Sequence, residues 1–346
     1  MSQRMAVMRW PCSRGAMPCR NGRWHWRPAR RGVPGRISAR VPGDVPDTPQ
    51  ESSMRMILVH GINQQGKSDR IVHDEWLAAL RANFARQGQD PLDRLSRIDT
   101  AFYGDTLERL SSVLLAGRTI AMGAEEASDD FDEFALTALK AMALRMGIAE
   151  SDLASEAATV AVPQGAGIHK TWIKAIARVI ERVSPLRGTL ALRVLGQAHA
   201  YIRNPHVHEQ VNDLVRPLFE DDEPCIVVSH SLGTVVSLAL LREFSRNGRP
   251  REVPLLLTLG SPLGIDSVRK GFTKPRTRPA HVQRWMNFAD PEDFVALHAA
   301  LTADNFAPGI ENHPDVENGY DDPHGVTGYL SDPRVAAAIV GSIPQD

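Results

Sequence analysis

Ser231 stands where a serine hydroxyl can become a nucleophile. The run Ser229-His230-Ser231-Leu232-Gly233 follows an apolar stretch, Cys225–Val228, and opens a second one with helical spacing, Leu232–Leu241. A tight turn from a buried strand into a helix lifts a serine above the sheet edge. It also aims the next backbone N–H at charge developing on a substrate oxygen. Small residues are needed two positions to either side, because the two backbones come close there. Gly233 meets that need, and Ser229 takes the place usually held by a first glycine. Alone, the same pattern also describes an ordinary strand-to-helix turn.

Three further features favour the chemical reading. Met56–Val59 is an apolar run that ends in His60-Gly61-Ile62, where folds with such a serine turn place the second oxyanion donor, here the N–H of Ile62. The acids Asp290 and Asp293 follow the strand-like run Arg284–Ala289, and His324 comes later, ahead of Gly328-Tyr329-Leu330. The chemistry this constellation suits is acyl transfer. His324 would take the Ser231 proton, and a carboxylate would hold the imidazole tautomer. The N–H groups of Ile62 and Leu232 would bind the oxyanion, and water would then release the acyl group.

A rival motif overlaps the first turn. Gly61-Ile62-Asn63-Gln64-Gln65-Gly66-Lys67-Ser68 satisfies Gly-x-x-x-x-Gly-Lys-Ser between a strand and a helix. In a P-loop NTPase the loop amides would hold phosphates, Lys67 would reach the β/γ oxygens and Ser68 would bind Mg²⁺. That reading lacks an apolar strand ending in a metal-binding aspartate, since Arg284–Asp290 is interrupted by polar residues. It also leaves Ser231 and His324 without a role.

Other candidates have simpler readings. His60 and His230 flank the proposed site, where packing or a hydrogen bond to the turn is the commoner use. His206 and His208 are two apart on an expected helix and so face different ways, a poor metal pair. His313 is the reserve base, with His324 preferred because its loop follows an expected last strand around Val316. Ser261 sits at a strand end without an elbow. Cys225 reads as an inert core thiol. The acidic stretch Glu125–Glu133 has no ligand spacing and is expected as a solvated loop. No metal or cofactor is implied.

These residues need a scaffold. Strands expected at Met56–Val59, Ile98–Tyr103, Cys225–Val228, Leu255–Leu259 and Arg284–Ala289 alternate with helices, which implies α/β architecture with a mostly parallel sheet covered on both faces. The section from about 105 to 200 reads as helices, one of them marked by Trp172, Ile173, Ile176, Val179, Ile180 and Val183. Residues 1–53 are rich in arginine, proline and glycine and show no period, so a disordered basic extension is expected before a single domain over 54–346. The chain has 346 residues and a formal net charge of −1, which gives no electrostatic case for nucleic acid. No apolar run is long enough for a membrane span. Three cysteines form neither a disulfide framework nor a zinc pattern, consistent with a reducing cytoplasm.

The motifs together resemble a known family. Val59-His60-Gly61-Ile62-Asn63, the Ser229–Gly233 turn, Leu259-Gly260-Ser261-Pro262-Leu263, Trp285-Met286-Asn287 with the following acids, and His324 before Tyr329-Leu330 are similar to bacterial α/β hydrolases of the lipase and esterase kind. The chain order Ser…Asp…His is also theirs. The resemblance covers about 54–335 and implies the α/β-hydrolase fold, a serine esterase acting on a small acyl substrate, and a helical cap or insert over about 105–200. It assigns the histidine-orienting role to Asp293 or Asp290. Asp293-Phe294-Val295 resembles the Asp-x-Val that carries the acid in many such enzymes, which favours Asp293. A non-catalytic binding protein on the same fold is a further alternative.

Overall fold

Arg55–Val59 (β1), Cys225–His230 (β3) and Val253–Leu259 (β4) are buried almost throughout, as strands covered on both faces must be. Ile98–Ala101 (β2), Val282–Phe288 (β5) and Glu311–His313 (β6) complete one six-stranded, all-parallel sheet, ordered β2-β1-β3-β4-β5-β6. The architecture comes from a computed structural model that describes residues 53–120, 125–160, 168–183, 187–319 and 322–344. The expected basic extension, 1–53, lies outside these residues except for Ser53.

Side chains alternate across the pleat and feed two cores. Ile57, Val59, Val227 and Leu256 face one side, and Met56, Leu58, Val228 and Leu257 face the other. The second core is closed by Asp69–Arg86 (α1), Val326–Ser331 (α10) and Pro333–Val340 (α11), through Trp76, Phe84, Tyr329, Leu330 and Ile339. The first takes in Leu232–Arg246 (α8), Pro205–Val215 (α7) and the helical section between β2 and α7.

That section holds Gly104–Ile120 (α2), Glu125–Arg145 (α3), Glu150–Thr159 (α4), Ile168–Val183 (α5) and Arg187–Arg203 (α6). Leu139, Ile176 and Leu195 share one continuous core with Ile57 and Val227 of the sheet. The expected insert is thus a covering layer on one face of the sheet as well as a neighbour of the pocket. Asp266–Arg269 (α9), a single helical turn, follows β4.

Two local expectations are corrected. Glu125–Glu133 is not a loop; its backbone opens α3. Phe134, Ala138, Leu139 and Met142 recur at helical spacing and bury a face, and this periodicity carries the helix back through the acidic residues. Carboxylates also suit a helix N-terminus. The last strand is Glu311–His313 and not a segment at Val316; Val316 donates its N–H to Ala289 O in the following loop (3.1 Å).

The sheet order positions the site. From β1 the chain runs outward to β2 and then returns to the other side of β1 as β3. Such a reversal opens a crevice at the carboxyl ends of the two adjacent strands. Gly61 follows β1 there and Ser231 follows β3. Among the described residues no helix is long and apolar enough to cross a membrane.

Candidate active site

The turn at Ser231 is held in an unusual backbone conformation. Ser231 has φ 52° and ψ −127°, a region non-glycine residues seldom occupy. Such strain survives only where the surroundings over-determine it, and it concentrates at functional sites. Here the Ser231 N–H donates to Leu259 O (2.9 Å), and its carbonyl accepts from the Thr234 hydroxyl (2.7 Å). Thr234 Oγ1 also lies 2.8 Å from Ser261 Oγ, tying the turn to the end of β4. Ser261 is thus a support beneath the turn.

The small residues do what their spacing implied. A Cβ on Gly233 would collide with the carbonyl oxygens of Val59 and His60. One on Gly61 would come within 2.6 Å of Ser231 Cβ. The two glycines let the β1 and β3 turns touch. Ser229, in the first glycine's place, is fully buried and donates to Leu257 O (2.8 Å), so its hydroxyl is satisfied.

Ser231, His324 and Asp293 form one hydrogen-bonded chain. Ser231 Oγ is 2.8 Å from His324 Nε2, and His324 Nδ1 is 2.8 Å from Asp293 Oδ2. With Nδ1–H donating to the carboxylate, Nε2 is left to accept the serine proton. Asp293 is fully enclosed, and its Oδ1 accepts from the N–H groups of Val295 (2.8 Å) and Ala296 (3.2 Å). Burial alone would push its carboxyl up. The charge and hydrogen bond of His324, with the bonds from Tyr329 and Val295, outweigh this and hold it below the usual carboxylate value.

Asp290 does other work. Its Oδ1 accepts from Glu292 N (2.6 Å) and its Oδ2 from Asn318 N (2.7 Å), so it caps its own turn and pins the later loop. His313 packs flat on Phe288, with ring centroids 4.5 Å apart, and does not join the Ser231 chain.

The flanking histidines are packed and neutral. His60 Nδ1 donates to Gly61 O (2.6 Å) and its Nε2 accepts from Tyr103 N (3.1 Å), which fixes its tautomer. Burial lowers its pKa to about 4, with a smaller downward push from Lys67. His230 donates from Nε2 to His324 O (2.8 Å) and lies 4.8 Å from the His324 ring. Burial, then the nearby His324, lowers its pKa to about 3. Both hold the backbone on which the site depends.

A cavity of about 240 Å³ opens on Ser231, walled by Ile62, Asn63, Lys67, Leu190, Asp322 and His324 among others. Leu190 is the contribution of the helical section. Leu232 is the first residue of α8, so its amide has no carbonyl four residues back within the helix. It and the Ile62 amide are the two donors expected for an oxyanion. Asn63, at φ 62°, turns the chain just after Ile62.

The phosphate-loop residues are engaged elsewhere. Lys67 Nζ pairs with Glu75 Oε2 (2.6 Å), the Gly66 N–H donates to Asp105 Oδ1 (2.7 Å), and Ser68 caps α1 by accepting from Ile71 N (3.2 Å). His206 is exposed, whereas His208 Nε2 bonds the Asn212 amide (3.0 Å). Among the described residues no group of three metal-type ligands converges. Cys225 is buried, and burial pushes its thiol up to about 11.

Two contributors stand in runs that the sequence marks, Tyr329-Leu330 and Leu259–Leu263, but without an assigned role there. Tyr329 donates to Asp293 Oδ2 (2.7 Å) and accepts from Asp290 N (3.0 Å). Gly260, at φ 55°, passes so close that a Cβ would come 2.9 Å from Asp293 Oδ2 and from Tyr329 Cε2. A tyrosine in a helix that must be buried needs a partner for its hydroxyl, and that is the available signal for Tyr329. Compared with known proteins, the chain matches no family model, no curated protein and no solved structure.

Proposed function

We propose that this chain is a serine hydrolase of the α/β-hydrolase type, cleaving an ester or related acyl bond through an acyl-enzyme on Ser231. The observation that carries the reading is the chain Ser231–His324–Asp293, at 2.8 Å for each link, ending on a serine with positive φ at the strand-to-helix turn. In this reading His324 Nε2 takes the hydroxyl proton as Ser231 Oγ attacks the acyl carbonyl. Asp293 holds Nδ1–H and stabilises the imidazolium. The amides of Ile62 and Leu232 bind the oxyanion, and His324 then returns the proton to the leaving alcohol. Water, activated by the same imidazole, releases the acyl group.

The cavity favours a short, polar acyl ester over a long hydrocarbon chain. At about 240 Å³ it falls below the roughly 300–1,000 Å³ of clefts that hold drug-sized ligands. Asn63, Gln64, Lys67, Glu75, Asp322 and Thr327 line it beside a few apolar groups. Nucleotide hydrolysis by the Gly61–Ser68 loop is disfavoured, because Glu75 and Asp105 already occupy the lysine and a loop amide.

The test is labelling with a fluorophosphonate, read with turnover of nitrophenyl acetate. Wild-type protein should label at Ser231, and Ser231→Ala should lose both labelling and turnover, the latter on the order of 10⁶-fold. Turnover unchanged in Ser231→Ala, or a label on another residue, overturns the proposal.

A further inference from the structure

A second cavity runs along α8 from Val235 to Arg246. It measures about 210 Å³ and is bounded by Tyr201 and Ile202 of α6, His208 of α7, Val235, Ala239, Arg242 and Arg246 of α8, and Gly271–Thr273. The α8 residues are spaced by four, three and four, so they form one stripe along the helix. Tyr201, Val235 and Phe272 are buried and give the floor an apolar character. The two arginines stand at its far end.

The charge there is uncompensated. Arg242 donates to the carbonyls of Thr273 (2.7 Å) and Pro275 (3.4 Å) and lies 6.0 Å from the centre of the Phe272 ring, all neutral partners. Arg276, whose charge reaches Arg242, donates its Nε to Phe272 O (3.1 Å) and Arg269 O (3.0 Å). None of Arg242, Arg246 and Arg276 forms an ion pair among the described residues, although ion pairs are frequent elsewhere in the fold. Glu209 and Glu243, whose charges reach His208 at the cavity wall, are held by Arg216 at 2.9 and 3.1 Å. Burial, then Arg246 and Arg276, pull the Arg242 pKa below its usual value. A half-buried guanidinium beside two like charges is stabilised by whatever anion reaches it, and its planar fork suits a carboxylate or phosphate.

We propose that this cleft binds a small organic anion, with a carboxylate or phosphate on Arg242 and Arg246 and an apolar body on the floor of Tyr201, Val235, Ala239 and Phe272. The site does not depend on Ser231 chemistry, since no residue of the Ser231–His324–Asp293 chain lines it.

Calorimetric titration of the full chain with phenylphosphate, benzoate and neutral benzyl alcohol tests this. Phenylphosphate or benzoate should bind in the millimolar range or tighter, the tighter of the two identifying the headgroup. Arg242→Gln and Arg246→Gln should each weaken binding by about tenfold or more, and added salt should weaken it further. Arg246 is exposed, so Arg246→Gln decides the matter if Arg242→Gln fails to fold. Ser231→Ala should bind like wild type, which separates this site from the acyl site. Absence of binding by both anions up to about 10 mM, equal affinity for benzyl alcohol, or unchanged affinity in Arg246→Gln overturns the proposal.

Discussion

Tyr329 donates its phenolic proton to Asp293 Oδ2, the same oxygen that faces His324 Nδ1. The tyrosine also accepts from Asp290 N, so one hydroxyl joins the two acids that the sequence leaves as alternatives. Sharing Oδ2 between two donors spreads its charge and limits how strongly it can favour an imidazolium. Tyr329→Phe should therefore move the low-pH limb of fluorophosphonate inactivation to higher pH. Losing the bond to a buried carboxylate should also cost about 1–3 kcal/mol of stability. An unmoved pH profile beside a lowered melting temperature would reduce Tyr329 to a packing residue.

The two acids should separate sharply on mutation. Asp293→Asn keeps the shape but cannot hold the productive imidazole tautomer. Turnover of nitrophenyl acetate should fall by about 10⁴, the size of the effect when the triad acid of a serine protease becomes an amide. Asp290→Asn still accepts one of its two backbone N–H bonds, so turnover should stay within about tenfold while stability drops by about 1 kcal/mol. Steady-state kinetics on both variants decides. The opposite ranking would move the orienting role to Asp290.

The site is legible where a residue type meets a local backbone demand. Gly233 and Gly61 stand where no Cβ fits, and a strand-turn-helix pattern is written in neighbouring residues. Chain order admits both His313 and His324; the preference for His324 rests on an expected last strand around Val316, whereas that strand is Glu311–His313 and holds His313 itself. What cannot be read this way depends on contacts distant in sequence. Tyr329 reaches Asp293 from 36 residues away, and Tyr103 pins His60 from 43 residues away. The edge strand β6 leaves no pattern because Glu311-Asn312-His313 is short and polar, with pairing to β5 supplying what propensity does not. The acidic start of α3 looks like a loop by composition, yet the apolar period that follows it outweighs composition and makes it helix.

Stability should fall with mild acid. His60 and His230 are neutral in the fold, with pKa values lowered from the ordinary 6.5 to about 4 and about 3. Above pH 6.5 both folded and unfolded chains hold them neutral, and the full stability is present. Below it the unfolded chain binds protons that the folded one refuses until about pH 4. Each histidine then removes up to about 1.4 kcal/mol per pH unit across that window. Asp293, held low, adds a loss of the same sign only as pH falls from the ordinary carboxylate value of 3.8 through its own lowered one. Urea unfolding at pH 7.5, 6 and 5 measures the slope; a flat free energy across these points would mean that both rings take up a proton without unfolding.

Lys67 discriminates between the two readings of the first turn. In acyl transfer no lysine donates or accepts a proton, and Lys67 sits at the cavity wall, paired with Glu75. Both side chains are substantially exposed, so the pair contributes at most about 1 kcal/mol. Lys67→Ala should therefore leave turnover of nitrophenyl acetate within about tenfold, with the change falling on KM, since only substrate contacts at the wall are altered. A phosphate-binding loop makes the opposite demand, because its lysine must be free to meet the β and γ oxygens. Here the Gly66 amide, one of those such a loop would offer, faces the Asp105 carboxylate, and an anion brought there meets negative charge. Calorimetry with ATP and Mg²⁺ should accordingly show no binding to wild-type protein. Micromolar nucleotide affinity that disappears in Lys67→Ala would reverse the assignment and make Gly61–Ser68 the working site.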